Sequence, residues 1–198
     1  MVVFGITGGS GSGKTSVSKM LEKLGVHIID TDVIAHEIVE PNSDCLNELV
    51  DYFGDSILND DKTLNRKKLA SIAFSDKQKT EALSNITHKY IKAEVVKDIN
   101  TTDAELVGID GAVIIGSNVE PLCEFIVSVI ADKQSRITRI KTRDNITDEQ
   151  AIQRISAQND DEFYKENSMY IIYNNGDIAQ LESDVVGLFN KIKGNSFE

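Results

Sequence analysis

The stretch that most constrains the fold is residues 2–24, "VVFGITGGSGSGKTSVSKMLEKL". An apolar run of strand length leads into a glycine-rich turn, and apolar residues with helical spacing follow. Residues 8–15 fit the pattern G-x-x-x-x-G-K-[ST], in which a glycine-rich backbone curls around nucleotide phosphates between a strand and a helix. Since both flanking elements are present, the stretch predicts an anion-binding loop at the carboxyl end of a buried strand.

The loop supplies both backbone and side-chain donors for a nucleotide. Its glycines let successive N–H groups face one anion, and the helix that follows adds its positive end. We expect Lys14 to reach the β- and γ-phosphates of ATP and the Thr15 hydroxyl to take one position on Mg²⁺. The expected donor-binding residues are Gly8, Gly9, Gly11, Ser12, Gly13, Lys14, Thr15 and Ser16.

Strand-length apolar runs alternate with helical segments along most of the chain, which predicts an α/β protein with a parallel sheet of about five strands. The expected strands are 2–7, 26–30, 106–110, 124–132 and 169–174, and helices are expected over 13–24, 33–39 and 178–192. Residues 42–100 carry dense charge and apolar residues at helical spacing, so a helical insertion is expected there. Thr147 and Gln150 have the spacing of a capping box, which predicts a helix start at Thr147.

Composition excludes several classes of protein. A net charge of −11 over 198 residues argues against general nucleic-acid binding, which needs clustered Lys and Arg. No apolar run approaches the roughly 20 residues that span a bilayer, and the first residues lack the pattern of a signal peptide, so a cytoplasmic protein with no membrane partner is expected. Cys45 and Cys123 match no metal-binding spacing and are expected to be reduced thiols.

The phosphate loop alone leaves the function open, because ATPases, GTPases and small-molecule kinases share it. A guanine-specific protein would add an N-K-x-D segment, which the sequence lacks, and large ATPase motors need longer chains. A chain of this length with a helical insertion therefore favours a kinase that acts on a small metabolite.

Two carboxylates follow the second expected strand, in "HIIDTDVIAHEIV". The carboxyl ends of parallel strands face the ligand crevice, so Asp30 and Asp32 are expected near its mouth. A carboxylate there can accept the proton of an attacking hydroxyl or hold a water on Mg²⁺. The alternative is that one of them only caps the helix that begins near Val33.

Several segments together resemble the dephospho-CoA kinase family. They recur in the family's order and spacing: residues 5–39, "LNRKKLASIAFSD" (64–76), "LSNITHKYI" (83–91), "RIKTRDNIT" (139–147), "RISAQ" (154–158) and "NNG" (174–176). The resemblance covers nearly the whole chain. Its most specific parts are the D-x-D after the second strand and the N-I-T-H of the insertion.

The resemblance implies the last step of coenzyme A synthesis, in which ATP phosphorylates the ribose 3′-hydroxyl of dephospho-CoA. It implies a three-layer P-loop kinase fold, with a nucleotide-binding core at 1–41 and 101–198, a helical lid at about 136–160 and a CoA-binding insertion at 42–100. By position, Asp32 matches the family's proposed base, Arg139 and Arg143 match arginines near the phosphates, and Asn175 lies in the segment that lines the adenine pocket.

Acceptor binding is assigned to Asp30, Arg66, His88 and Asp110. Arg66 is equally compatible with contact to a CoA phosphate and with capping its own helix, and His88 with an ordinary surface or interface position. The chain is expected to be a monomer or small homo-oligomer.

The chain departs from the family's pattern at several positions. Gly116 stands where the family has glutamate and His36 where it has arginine, while Lys89 replaces a proline and Arg136 stands near a usual glutamine. Two further readings therefore stay open at this point: a nucleotide-binding protein with weak or no phosphoryl transfer, and a kinase for another small-molecule hydroxyl.

Overall fold

The computed structural model describes residues 1–195, and the chain forms two compact units. The first unit comprises residues 1–30 and the chain from 102 onward, and the second is Thr31–Thr101. The insertion was expected to begin at residue 42, whereas the compact unit begins at Thr31. The reason is that the helix directly after Asp30 packs on the longest helix of the second unit.

The first unit contains a sheet of parallel strands. The strands are β1 (Val2–Thr7), β2 (His27–Asp30), β3 (Leu106–Asp110), β4 (Phe125–Ile130) and β5 (Tyr170–Tyr173). Their order across the sheet is β2-β3-β1-β4-β5, and every neighbouring pair runs parallel. The predicted α/β class with about five parallel strands is confirmed.

Helices make up most of the remaining regular structure in residues 1–195. They are α1 (Lys14–Lys23), α2 (Thr31–Glu37), α3 (Asp44–Phe53), α4 (Arg66–Ala73), α5 (Lys77–Thr101), α6 (Lys133–Asp144), α7 (Asp148–Ser156), α8 (Asp161–Glu166) and α9 (Ile178–Asn195). None of these helices is long and apolar enough to cross a bilayer.

The central strands are apolar because they are buried on both faces, as is usual in parallel sheets. Phe4 and Ile6 of β1 and Val127 and Val129 of β4 are fully buried. Val17 of α1 joins the same apolar cluster, and α1 also packs against α9. This core holds β1 and α1 firmly on either side of the loop that joins them.

The carboxyl ends of three strands are in line at one edge of the sheet. β1 lies between β3 and β4. In the pairing register, Asp110 of β3 lies opposite Ile6 of β1 on one side and opposite Asp30 of β2 on the other. Ligands of α/β proteins bind at this edge, where connections leave a central strand in opposite directions. The sheet therefore places the loop after β1 beside the acidic ends of β2 and β3.

The second unit is a group of helices arranged around α5. Helices α2, α3 and α4 each pack on α5. Ser43 caps α3 by accepting a hydrogen bond from Leu46 N at 3.2 Å, and Asn65 caps α4 by accepting from Lys68 N at 2.9 Å. Lys89 of α5 contacts Glu48 of α3 at 2.5 Å, so the lysine that replaces the family's proline ties the two helices together.

Helices α6, α7 and α8, with the segments between them, are called the lid helices below. The capping box at Thr147 is present: its side chain accepts from Gln150 N, and the Gln150 side chain accepts from Thr147 N. The helix start predicted there is confirmed. Helix α8 was not predicted, because its six residues are too few to show a helical period.

Candidate functional site

The phosphate loop is the turn of residues 8–15 between β1 and α1. Gly11 and Gly13 have φ of +78° and +96°, a conformation that favours glycine, and Ser12 N donates to Gly9 O at 3.0 Å. Helix α1 begins at Lys14 with Gly13 as its N-cap and has no side-chain cap. The positive end of α1 is thus presented to whatever the loop holds.

Side chains from elsewhere in the first unit contact this loop so closely that Gly13 has no space for a larger residue. A Cβ atom on Gly13 would overlap Nδ2 of Asn174, and on Gly11 it would lie 2.7 Å from the backbone oxygen of Arg136. The loop conformation therefore depends on glycine both for its dihedral angles and for its packing.

We expect Gly13→Ala to weaken ATP binding at least about tenfold, because the new methyl group must displace Asn174 and strain a left-handed backbone. Calorimetric titration with a non-hydrolysable ATP analogue measures the effect. Gly25→Ala is the matched control, since Gly25 also has positive φ, at +97°, but has open space around its Cβ position. Equal affinity of Gly13→Ala and the native protein would contradict this reading of the loop.

Lys14, the predicted phosphate-binding lysine, forms an ion pair with Asp110 at the carboxyl end of β3. Asp110 is only 3% exposed, so its carboxylate needs this charged partner. An ammonium group has three N–H donors. Lys14 can therefore remain paired with Asp110 and still donate hydrogen bonds to phosphate oxygens.

Ser12 supplies a test of whether the loop suits an anion. Its hydroxyl oxygen is buried and has no hydrogen-bond partner within the described residues. A buried polar group without a partner costs about 1–3 kcal/mol. A phosphate oxygen in the loop would give this hydroxyl an acceptor, so the residues present fit a bound phosphate.

Arg139 extends from α6 across the outside of the loop. Its Nη1 donates to the carbonyl oxygens of Gly11 and Ser12, both at 3.2 Å, and its Nη2 donates to Asn174 O at 3.0 Å. The Asn174 side chain in turn donates to Ser12 O at 2.7 Å. The structure thus brings Arg139 to the loop backbone, where it adds positive charge beside the loop.

The two asparagines after β5 have different contacts. Asn174, which sequence reasoning missed, is 7% exposed and touches the loop. Asn175, the expected adenine-side residue, accepts a hydrogen bond from Asp132 N at 2.8 Å. The position of Asn174 directly after a strand that ends at the same edge of the sheet was the signal in the sequence.

Arg143 lies on the exposed side of the lid helices. It donates to both carboxylate oxygens of Asp144, at 2.7 and 2.9 Å, and Arg154 pairs with the same carboxylate. The pKa of Asp144 is lowered to about 2, mainly by the hydrogen bonds from Arg143 and to a smaller extent by the one from Arg154. In this conformation the Arg143 guanidinium is engaged with Asp144, and within residues 1–195 it has no hydrogen bond or ion pair to the phosphate loop.

The other expected site residues divide between the two units. Asp30 ends β2 in the first unit, beside Asp110. The second unit carries Asp32 in the first turn of α2, Arg66 at the start of α4 and His88 in α5.

Arg66 does not cap its helix, because Asn65 fills that position. Its Nη2 instead lies 3.0 Å from Nδ1 of His36. A guanidinium can only donate, so His36 accepts through Nδ1. The histidine that replaces the family's arginine is therefore oriented by Arg66 within the second unit.

Gly116, at the position of the expected glutamate, has φ of +78° and no side chain to offer. The carboxylate of Glu120 accepts a hydrogen bond from Gly116 N at 2.6 Å. A carboxylate thus lies at this turn of the backbone, supplied by a residue four positions later in the chain.

Cys45 is a buried free thiol and Cys123 a partly buried one. Burial raises the pKa of Cys45 to about 11 and that of Cys123 to about 12, so both are protonated at neutral pH. Within residues 1–195, no group of three His, Cys, Asp or Glu side chains is arranged to hold a metal ion.

Comparisons of sequence agree on one family. A family model described as dephospho-CoA kinase matches residues 2–180. A dephospho-CoA kinase of Lactobacillus johnsonii is 35% identical over 191 residues, which is 95% of this chain and 96% of the relative. That of Listeria monocytogenes is 34% identical over 194 residues, 96% of this chain and 97% of the relative.

Comparisons of structure agree on the fold. A dephospho-CoA kinase from Campylobacter jejuni superposes with a TM-score of 0.69 at 26% identity and covers 98% of both chains. A Thermus thermophilus protein, TT1252, gives 0.83 at 24% identity over 96% of this chain and 97% of its own. A shikimate kinase from Bacteroides thetaiotaomicron gives 0.56 at 18% identity over 97% and 98%. The fold is the α/β fold of P-loop kinases, as expected.

Proposed function

The chain belongs to the dephospho-CoA kinase family, and we propose that it transfers the γ-phosphate of ATP to the ribose 3′-hydroxyl of dephospho-CoA to give coenzyme A. The observation that carries the proposal is the phosphate loop with Lys14 at its mouth, in a chain that matches the family from residue 2 to 180. The carboxylate of Asp110 and the glycines of the loop support the same reading.

The donor is held by the phosphate loop. Backbone N–H groups and the start of α1 face the β- and γ-phosphates, and Lys14 donates to them while it keeps Asp110. The buried hydroxyl of Ser12 finds its acceptor on the same phosphates. Asn175, which follows β5, is proposed to face the adenine end of the nucleotide.

Magnesium fits the oxygen donors that this site offers. Thr15, in the first turn of α1, would supply a hydroxyl oxygen, and the nucleotide phosphates and water would supply the other oxygens. When bound, Mg²⁺ neutralises charge that develops on the transferring phosphoryl group.

Asp32 is proposed to accept the proton of the acceptor. As the ribose 3′-oxygen bonds to the γ-phosphorus, its proton passes to the Asp32 carboxylate, the bond from phosphorus to the β–γ bridging oxygen breaks, and ADP leaves. The position of Asp32 in the first turn of the helix that follows β2 supports this role. General-base catalysis of this kind contributes about 10²–10⁴-fold in rate.

Arg66 and His88 of the second unit are proposed for acceptor binding, as are Asp30 and Asp110 of the first unit. Arg66 and His36 form a pair with donor capacity toward an anion, and His88 lies half-buried on α5. We propose that Arg66, His36 and His88 contact the phosphate-bearing parts of dephospho-CoA.

Two arginines are proposed to stabilise charge on the transferring group. Arg139 already lies against the loop, so its charge acts on the phosphates without a large movement. Arg143 would exchange Asp144 for phosphate. Arg154 pairs with the same carboxylate, so Asp144 would keep a charged partner after that exchange.

The proposal predicts a preference among acceptors. With Mg-ATP, dephospho-CoA should be phosphorylated with a kcat/KM at least about 10²-fold above that of adenosine or shikimate, because only dephospho-CoA has the pantetheine and diphosphate that the second unit would bind. A coupled assay for ADP measures all three acceptors. A higher kcat/KM for either alternative would overturn the assignment of substrate. The enzyme is proposed to act in the cytoplasm, where ATP is supplied.

A further inference from the structure

The Ser10 backbone is held on both sides by side chains of the lid helices. Nε of Arg136, on α6, donates to Ser10 O at 2.9 Å. Ser10 N donates to Oε1 of Gln158, in the segment between α7 and α8, at 2.7 Å. Ser10 is the third residue of the phosphate loop, so both contacts act directly on the donor site.

These two contacts fix the orientation of adjacent peptide planes in the loop. In a planar trans peptide, the C=O of one residue and the N–H of the next point in opposite directions. With Ser10 O turned toward Arg136, the N–H of Gly11 points away from it. With Ser10 N turned toward Gln158, the Gly9 carbonyl points the other way, where it accepts from Ser12 N at 3.0 Å. Side chains outside the loop, Arg136 and Gln158, thus determine how the loop backbone curls.

Arg136 is suited to this role because it is rigidly placed. It is 5% exposed, its Nη2 donates to Gln158 at 3.2 Å and its Nη1 lies 3.6 Å from Asp161 at the start of α8. A Cβ atom on Gly9 would overlap Nη2 of Arg136, so the guanidinium packs directly on the loop. A buried charge with these partners is costly to move.

We propose that Arg136 and Gln158 are positioning residues for the phosphoryl donor. Through Ser10 they hold the phosphate loop in the curl that binds the triphosphate, and they make donor binding depend on the arrangement of the lid helices. The inference rests on the proposed function only in that the loop binds ATP; it does not depend on which acceptor is used.

The first test is Gln158→Ala. We expect the Kd of a non-hydrolysable ATP analogue with Mg²⁺ to rise about tenfold, the size of effect expected from one hydrogen bond in a network with a charged partner. The Kd of dephospho-CoA should stay within about twofold, because no acceptor-binding residue is touched. Gln153→Ala, at an exposed glutamine of α7, is the matched control and should leave both constants unchanged.

The second test is Arg136→Gln, alone and combined with Gln158→Ala. Both side chains act through Ser10, so their effects on nucleotide Kd should be non-additive. Thermal unfolding without ligand separates this role from a merely structural one, which would lower the midpoint and leave nucleotide Kd unchanged. If Arg136→Gln does not fold, Gln158→Ala decides alone.

Nucleotide Kd within twofold of native in the folded variants, or an equal rise in the Kd of dephospho-CoA, would overturn the inference. Binding is measured without turnover, so a protein that never phosphorylates dephospho-CoA contradicts the proposed function and leaves this test intact.

Discussion

Replacement of Lys14 by methionine is expected to lower kcat about 10²–10³-fold, equivalent to about 2.7–4 kcal/mol of transition-state stabilisation. Methionine keeps an apolar stem of similar length and removes the charge together with the N–H donors. The loss has two causes, because the phosphates lose a cation and the buried carboxylate of Asp110 loses its ion pair with Lys14. Steady-state kinetics with Mg-ATP measures the first cause, and thermal unfolding measures the second.

A double variant separates these two causes. Lys14→Met with Asp110→Asn removes both charges of this buried ion pair, so the unfolding midpoint should recover toward the native value while kcat stays low. Lys19→Met is the matched control, since Lys19 lies exposed on the same helix and should keep native kinetics. A kcat for Lys14→Met within tenfold of native would contradict the role given to this lysine.

Asp32→Asn is expected to lower kcat about 10²–10⁴-fold while the affinity for ATP holds, because asparagine keeps the shape of the side chain but cannot take the proton. Asp32 also lies in the first turn of α2, where a carboxylate interacts with the helix dipole. That interaction is worth only about 0.3–1 kcal/mol. A hundredfold loss corresponds to about 2.7 kcal/mol, so it exceeds any effect through the helix.

The control for this variant is Asp44→Asn, which removes an exposed carboxylate from the first turn of α3 and should leave kcat unchanged. A titration of Mg²⁺ distinguishes the two chemical roles. If Asp32 holds a metal-bound water, Asp32→Asn raises the magnesium concentration needed for half-maximal rate; if it is the base, that concentration is unchanged. Turnover of Asp32→Asn within tenfold of native would favour neither role and would refute both.

The phosphate loop and the sheet were predictable because their signals are local. The pattern at residues 8–15, the apolar runs of β1 and β3 and the capping box at Thr147 each depend on neighbours in sequence. Local propensity and periodicity are what a single sequence carries most clearly. Because parallel strands end at the same edge of the sheet, the predicted strand ends also indicated which residues lie beside the loop.

The network that supports the loop was not predictable in the same way. Arg136 and Arg139 reach loop residues more than 120 positions away, and the contacts exist only once α6 is packed beside the loop. Arg139 was singled out through the family resemblance, and Asn174 only by its place directly after β5, while the role of Gln158 had no signal of its own. An arginine on a helix is most often exposed to solvent, and the hydrophobic periodicity of the sequence does not identify the few that are buried.

Gly116, where the family has glutamate, is a second place where the sequence did not predict a contact made by the fold. The sequence indicated that a carboxylate is missing at Gly116. In the structure, however, the Glu120 carboxylate accepts a hydrogen bond from Gly116 N at 2.6 Å. The positive φ of Gly116 makes this short turn possible. The chain therefore keeps an acid at this turn through a different residue.

The central claim is that this chain makes coenzyme A, and one reaction tests it most directly. Purified protein is incubated with Mg-ATP and dephospho-CoA, and the product is separated and examined by ³¹P NMR. We predict one ADP formed for each product molecule, with the new phosphate on the ribose 3′-oxygen. Binding of both substrates without any such product, or a phosphate at another hydroxyl, would contradict the account.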